Sequence, residues 1–353
     1  MRLLVFGDVH IPGLDVHFGR KKRRSGDALA YKSLRWLAEM ADEHHVDRIV
    51  CLGDVVNSNA SISTVALAIL SDCVPLLATS KRKFYCIVGT HEYGLPVNAL
   101  QFLSLCPDVT LISSNRVLSD CGVKLSFVPS GSDTLGDLVN ADYTFAHVDV
   151  SGSTLPNGFV EKGGFIVGDT LRGTLVCGHY HSPCVVPCGR GVILYCGSLL
   201  AYSFRDAGLA ERGALLIDTD ARDEHRDGGG YCWSGNPFAE YYLTCKSPET
   251  LLDEFRHIPY PKRTHVRVTF PLPDVNCGIT ESVVSEMRDA CASVQARSVV
   301  APVDRETSIL PNAEPLEAIV EFVSTSDFDP AIKKPKLVRQ SSERVLRLQK
   351  GEL

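Results

Sequence analysis

Short apolar, β-branched runs recur along the first two-thirds of the chain, and each ends abruptly in Gly, His or Asp. They are Arg2–Phe6, Arg48–Leu52, Phe84–Val88, Tyr143–Ala146 and Thr174–Cys177, with Val192–Cys196 and Ala214–Ile217 following. Continuous apolar runs of this length predict strands buried on both faces. Between the first two, Leu29, Trp36, Leu37, Met40 and Ala41 recur at helical spacing, and Val65, Leu67, Ile69 and Leu70 predict a second helix after Ser61. Strands alternating with helices predict a layered α/β domain, here ending near Cys245. Asp220 to Gly230 is polar and glycine-rich, and reads as a loop.

The texture changes after Pro248. Leu251, Leu252 and Phe255 predict a short helix, His265–Phe270 a strand, Glu281–Val294 a helix and Ala318–Val323 a further strand, enough for a small α+β domain. The expected organisation is a main domain over 1–245, a small α+β domain over 246–330 that caps the site or binds DNA, and a basic segment over 331–353.

Composition changes this picture little. The charged fraction of 22% is that of an ordinary globular chain, and no apolar run approaches the length of a membrane span. The N-terminus carries no secretion-signal pattern. The 13 cysteines include no C-x-x-C pair, and Cys51, Cys86, Cys177 and Cys196 sit inside apolar runs. They read as small hydrophobes in a reduced, cytoplasmic protein. The formal net charge of -6 disfavours a nucleic-acid partner only weakly, because binding needs a local basic patch.

The chemistry lies at the strand ends. After the first run come Asp8 and His10 (GDVH), and after the second Asp54 (GDVVN). The third is followed by Thr90, His91 and Glu92 (GTHE), the fourth by His147 (AHVD) and the fifth by His179 and His181 (GHYH). Ligand sites of layered α/β folds form at the carboxyl ends of strands, so one site would receive all of these groups. Crowding so many carboxylates and imidazoles is costly unless a cation neutralises and orients them. Imidazole with carboxylate suits zinc, manganese or iron. Each motif alone is a common turn or a core histidine; the joint order is what carries the reading.

This order, D-x-H, GD, G-N-H-[DE], a lone H and GH-x-H, resembles the signature of calcineurin-like metallophosphoesterases. Within them the chain is most similar to the SbcD/Mre-type DNA nucleases in compact phage or bacterial form. GHYHSP, YCGSLLAYSF and RGALLID carry that second likeness, together with the basic stretch after D-x-H. The resemblance implies a layered sandwich of two sheets flanked by helices and a manganese-dependent DNA exonuclease and endonuclease, with magnesium, zinc or iron as other divalent ions. It implies that Asp8, His10 and His181 hold one metal and His147 and His179 the other. Asp54 would bridge the two, roughly 3.5–4 Å apart. His91 would act on the substrate as catalytic residue. Thr90 stands at the family's Asn ligand position, where a hydroxyl has shorter reach than an amide. Asn57 stands where a His is frequent, and would contact DNA.

Arg20, Lys21, Lys22, Arg23 and Arg24 leave the same site and are read as a grip on the phosphate backbone rather than a solvated loop. The tail from Lys333 mixes cations with Leu337, Val338, Val345, Leu346 and Leu348. The resemblance implies that it docks as an amphipathic helix on an SMC-like ATPase subunit. The expected partners are DNA, that ATPase and a second copy in a homodimer, in the cytoplasm of a bacterium or a phage-infected cell, with no membrane. Glu92 and Asp149 are read as partners that orient the imidazoles of His91 and His147. Two other readings compete: a phosphatase or cyclic-nucleotide phosphodiesterase on the same scaffold, and a catalytically weakened DNA-binding scaffold subunit.

Overall fold

A computed structural model describes residues 1–12, 26–57, 62–94, 98–134, 141–153, 160–167, 171–202, 204, 208, 211–221, 230–245, 257–272 and 287–300. The chain divides into two compact units. One comprises Met1–Phe270 with Asn276–Arg297 and the other Pro271–Val275 with Ser298–Leu353. Of the second unit, the described residues are 271–272 and 298–300, the ends of two strands.

The first unit is an α/β sandwich. One six-stranded sheet contains β1 (Arg2–Phe6), β2 (Arg48–Cys51), β3 (Lys83–Ile87) and β4 (Val109–Ile112), with β11 (Gly213–Asp218) and β12 (Gly230–Gly235) at its other edge, in the order β12-β11-β1-β2-β3-β4. The other contains β5 (Arg116–Asp120), β6 (Val123–Val128), β7 (Tyr143–Ala146), β8 (Thr174–Cys177), β9 (Cys184–Cys188) and β10 (Gly191–Tyr195), in the order β5-β6-β7-β8-β10-β9. Strands β1 to β4 run parallel, as do β6, β7, β8 and β10. A third sheet joins β13 (Tyr241–Cys245), β14 (Thr264–Leu272) and β15 (Ser293–Val300).

The continuous apolar runs arise because each strand buries both of its faces. In β1, Leu3 and Val5 turn into the layer between the sheets while Leu4 and Phe6 turn outward. In the facing sheet, Phe145 and Val176 enter the same inner layer, and Ala146 and Cys177 point the other way. Helices α1 (Gly26–Glu43) and α2 (Thr64–Leu77) cover the outer face of the first sheet, packing Leu34, Leu37, Ile69 and Cys73 on Phe6 and Phe84. Ser63 caps α2, its side chain accepting the Ala66 N–H at 3.0 Å. Among the described residues no helix covers the second sheet. Val148, Val150, Val167 and Leu171, on irregular chain, seal its outer face instead. Among the described residues, the flanking helices are those on the outer face of the first sheet.

The strand predictions around the motifs agree with the structure to within a residue. Of the helix expected over Glu281–Val294, the described residues 287–290 are helical, and β15 begins at Ser293. Met287 and Cys291 pack with Val266 and Val268 of β14, and Val294 of β15 packs against them. The helix expected at 251–255, the strand at 318–323 and the segment 331–353 lie outside the described residues.

Candidate metal centre

Parallel strands end at one edge, so the polar residue that follows each run is delivered to one place. Backbone pairing continues past the ends of β1 and β2: Asp8 N–H donates to Gly53 O, His10 N–H to Asp54 O and Ile11 N–H to Val55 O, each at 2.9 Å. The chain then turns sharply. Asp8, His10, Asp54 and His179 all adopt left-handed backbone, with φ of 50°, 47°, 50° and 78°. Such conformations cost free energy in non-glycine residues and concentrate at functional sites. Glycines make the turns possible at two positions: Gly53 has φ of 102°, and a Cβ on Gly89 would collide with the Asp54 backbone nitrogen.

Three overlapping groups result, in each of which potential ligand atoms lie within 4.8 Å of one another. They are Asp8, His10 and His181; His10, Asp54 and His91; and Asp54, His147 and His179. The first and third match the two ligand sets that the resemblance implies, and Asp54 stands between them. Its Oδ2 is 3.8 Å from His10 Nε2 and 3.4 Å from His147 Nε2, while its Oδ1 accepts the His91 N–H at 2.7 Å. His10 Nε2 and His181 Nε2 are 3.1 Å apart. The His91 ring meets the His10 ring edge-on, with centroids 4.6 Å apart. Thr90 is exposed, its Oγ1 lying 3.4 Å from both His179 Nδ1 and Ser130 Oγ. Asn57 is exposed at the end of its described segment. Arg20, Lys21, Lys22, Arg23 and Arg24 lie outside the described residues.

The electrostatics are those of a site built around positive charge. Burial pushes the Asp8 carboxyl up, against the pull of the neighbouring imidazoles. Burial opposes ionisation of Asp54 as well, but His147 and His10 beside it and the His91 amide hold it well below the usual carboxylate range. Burial pulls His10 down to about 4 despite the Asp54 charge. His147, although buried, is pushed up to about 9 by Asp54 and Asp8. The two buried carboxylates thus favour positive charge at this place.

The donor set also fits metal by what it leaves unmet. The buried His147 Nε2, facing Asp54, has no hydrogen-bond partner, whereas His147 Nδ1 is fixed at 2.7 Å from Leu52 O. A histidine held by one ring nitrogen with the other aimed into a polar cluster has the orientation of a metal ligand.

Several supporting groups differ from the sequence reading. Asp149 faces His179, with Oδ1 3.2 Å from Nε2, rather than His147, its neighbour in sequence. Glu92 faces no imidazole. It accepts backbone N–H groups of Asp54, Val56 and Gly89. Arg212, the first residue of the RGALLID segment, had no role assigned to it from the sequence: it is 1% exposed and donates to the His181 carbonyl and to Ser198 Oγ, the latter at 2.8 Å.

A family profile described as calcineurin-like phosphoesterase matches residues 1–183. The chain belongs to this family. Calcineurin-like phosphoesterases are metal-dependent hydrolases, and the matched region contains every motif of the centre. Among solved structures, this phosphoesterase is similar to Vps29 from Entamoeba histolytica complexed with Zn2+, at 13% identity over 62% of this chain and 87% of that one, with a TM-score of 0.30. It is similar to the nuclease MPE of Pseudomonas putida at 14% identity, 61% and 83% coverage and a TM-score of 0.30. A Staphylococcus aureus protein described as a 5'-nucleotidase gives 13% identity, 66% and 52% coverage and a TM-score of 0.38. No curated protein matches the chain. The likenesses to solved structures are weak, and the family follows from the profile match.

Proposed function

We propose that this phosphoesterase is a manganese-dependent DNA nuclease hydrolysing phosphodiester bonds, the nuclease subunit of an SbcCD-like complex. The observation that carries the reading is a gradient of exposure across the centre. Asp8 and Asp54 are buried, while the side chains of His179 and His181 remain 35% and 31% accessible. Among the described residues the imidazole side is therefore open to a polymeric substrate. The segment whose sequence resembles those nucleases is also part of the centre's support. Leu199 N–H donates to Gly7 O at 3.1 Å and the Tyr202 hydroxyl to Val9 O at 2.8 Å, bracing the Asp8–His10 turn.

Asp8, His10 and His181 would hold one divalent ion and His147 and His179 the other, with Asp54 shared. Bound there, the ions would supply Lewis acidity toward phosphate oxygens and toward water. The chain's own residues do the rest. Asp54 fixes the His91 backbone through its Oδ1. That contact leaves the His91 imidazole at the partly exposed rim, where it can donate a proton to the departing oxygen. The basic run 20–24 would hold the DNA backbone, and 331–353 would dock the SMC-like ATPase in the cytoplasm. No helix among the described residues is long and apolar enough to cross a membrane.

The test is manganese-dependent digestion of end-labelled DNA beside bis(p-nitrophenyl) phosphate and p-nitrophenyl phosphate. Degradation of DNA and hydrolysis of the diester are expected. Hydrolysis of the small substrates with intact DNA would replace this reading by a phosphatase or cyclic-nucleotide phosphodiesterase. DNA binding with no hydrolysis of any substrate would replace it by a scaffold subunit.

A further inference from the structure

Glu92 is fully buried at 0% exposure, directly after His91, and touches no imidazole among the contacts of its carboxylate. Its Oε2 accepts Asp54 N–H at 3.0 Å and Gly89 N–H at 2.8 Å, and its Oε1 accepts Val56 N–H at 3.0 Å. These amides belong to two different turns, the one after β2 and the one after β3. The same turns meet again where His91 N–H donates to Asp54 Oδ1 at 2.7 Å. Asp54 itself sits in left-handed backbone, a conformation that the surroundings must impose.

We propose that Glu92 is a positioning residue that locks the Asp54 turn to the Gly89–His91 turn, and so aims the Asp54 carboxylate between the two ligand sets. The argument is one of donor and acceptor inventory. An ionised carboxylate is acceptor-only, and its two oxygens serve three N–H donors here. Burial and the Asp54 charge push the carboxyl up to about 7, against the pull of the Val56 and Gly89 amides, and the three N–H donors aimed at its oxygens are satisfied by the acceptor-only carboxylate form. A carboxamide of the same shape has one acceptor oxygen and one NH2 group. Whichever way it is turned, Glu92→Gln sets that NH2 against a backbone N–H, and at least one turn loses its anchor. The lock acts on Asp54 through its backbone, so its effect is on metal affinity. A residue that oriented His91 would act on turnover and leave metal affinity unchanged.

The experiment compares wild type, Glu92→Gln and Glu92→Asp by calorimetric manganese titration and by amide hydrogen exchange of the metal-free proteins. In Glu92→Gln the Asp54, Val56 and Gly89 amides exchange faster, and manganese binds about 10- to 100-fold more weakly. In Glu92→Asp, which keeps the charge but is one methylene shorter, the loss is partial. If Glu92→Gln does not fold, the aspartate variant decides alone, because a shortened carboxylate cannot reach all three amides. Manganese titrations that superimpose on wild type in a folded variant would overturn the proposal, even if turnover fell. A wild-type protein that binds no divalent ion would overturn the metal centre itself and this proposal with it.

Discussion

Arg48 on β2 grips Asp120 on β5 with both sides of its guanidinium, Nε donating to Oδ2 at 2.6 Å and Nη2 to Oδ1 at 2.9 Å. The Tyr85 hydroxyl of β3 adds a third bond to Oδ2 at 3.1 Å. The two strands belong to opposite sheets, so this group ties the layers together where the inner apolar layer ends. Both side chains are largely buried, at 14% and 15% exposure, which makes the pair worth more than a surface ion pair.

Asp120→Asn is therefore expected to lower stability by about 1.5–3 kcal/mol at neutral pH, since Arg48 keeps its charge and loses its counter-charge. The Arg48 guanidinium holds the Asp120 carboxyl down from 3.8 to about 2. A depressed folded-state value means the stabilisation is fully present above the unfolded value and disappears as pH falls toward about 2. Urea denaturation of both proteins between pH 7 and pH 2 checks this. The gap between them should close only in the acid limb, and a gap that persists at pH 2 would contradict the assignment.

Asp54→Asn should abolish hydrolysis, because the shared carboxylate loses its charge while both ligand sets depend on it. The same variant also loses the charge that pushes His147 up. Metal analysis should show substantially less than the wild-type content. Wild-type turnover at saturating manganese would remove Asp54 from its shared position.

His91→Ser should retain metal and lose roughly 10²- to 10⁴-fold in turnover, the usual contribution of a positioned proton donor. His91 lies in one of the convergent groups, with His10 and Asp54, so its role is decided by content rather than proximity. Loss of one equivalent of metal from the purified variant would make it a ligand.

Thr90→Asn extends the side chain toward the space beside His179 and Ser130. If the hydroxyl is a poor substitute for an amide oxygen, the variant should bind manganese more tightly and be faster at limiting metal, with the advantage shrinking at saturation. A manganese titration of both proteins gives the answer. Superimposable curves would mean that position 90 is no ligand position, and slower turnover at every concentration would mean that the larger side chain crowds the site.

Much of this protein was legible in its sequence because the relevant physics is local. Apolar runs such as Arg2–Phe6 and Thr174–Cys177 bury both faces and declare themselves as strands, and each ends in a residue whose chemistry is visible in its letter. Parallel strands then deliver Asp8, Asp54, His147 and His179 to one edge with little further choice. Of the strands not read from the sequence, β4, β5, β9 and β12 lie at sheet edges, where partly exposed positions leave no continuous apolar run, and β6, although internal, is interrupted by Lys124 and Ser126.

Which group supports which was decided only by the tertiary structure. Sequence adjacency suggests that Glu92 serves His91 and Asp149 serves His147. The fold instead gives Glu92 to the backbone of another turn and Asp149 to His179. It also brings Arg212, distant in the chain, beneath the His181 carbonyl. Hydrogen bonds are directional and act over about 3 Å, so closeness along the chain does not by itself make two side chains partners. The candidate ligands could thus be read from residue type and order. The partners that fix each ligand depend on where separate loops meet, and that meeting is set by the packing of the two sheets.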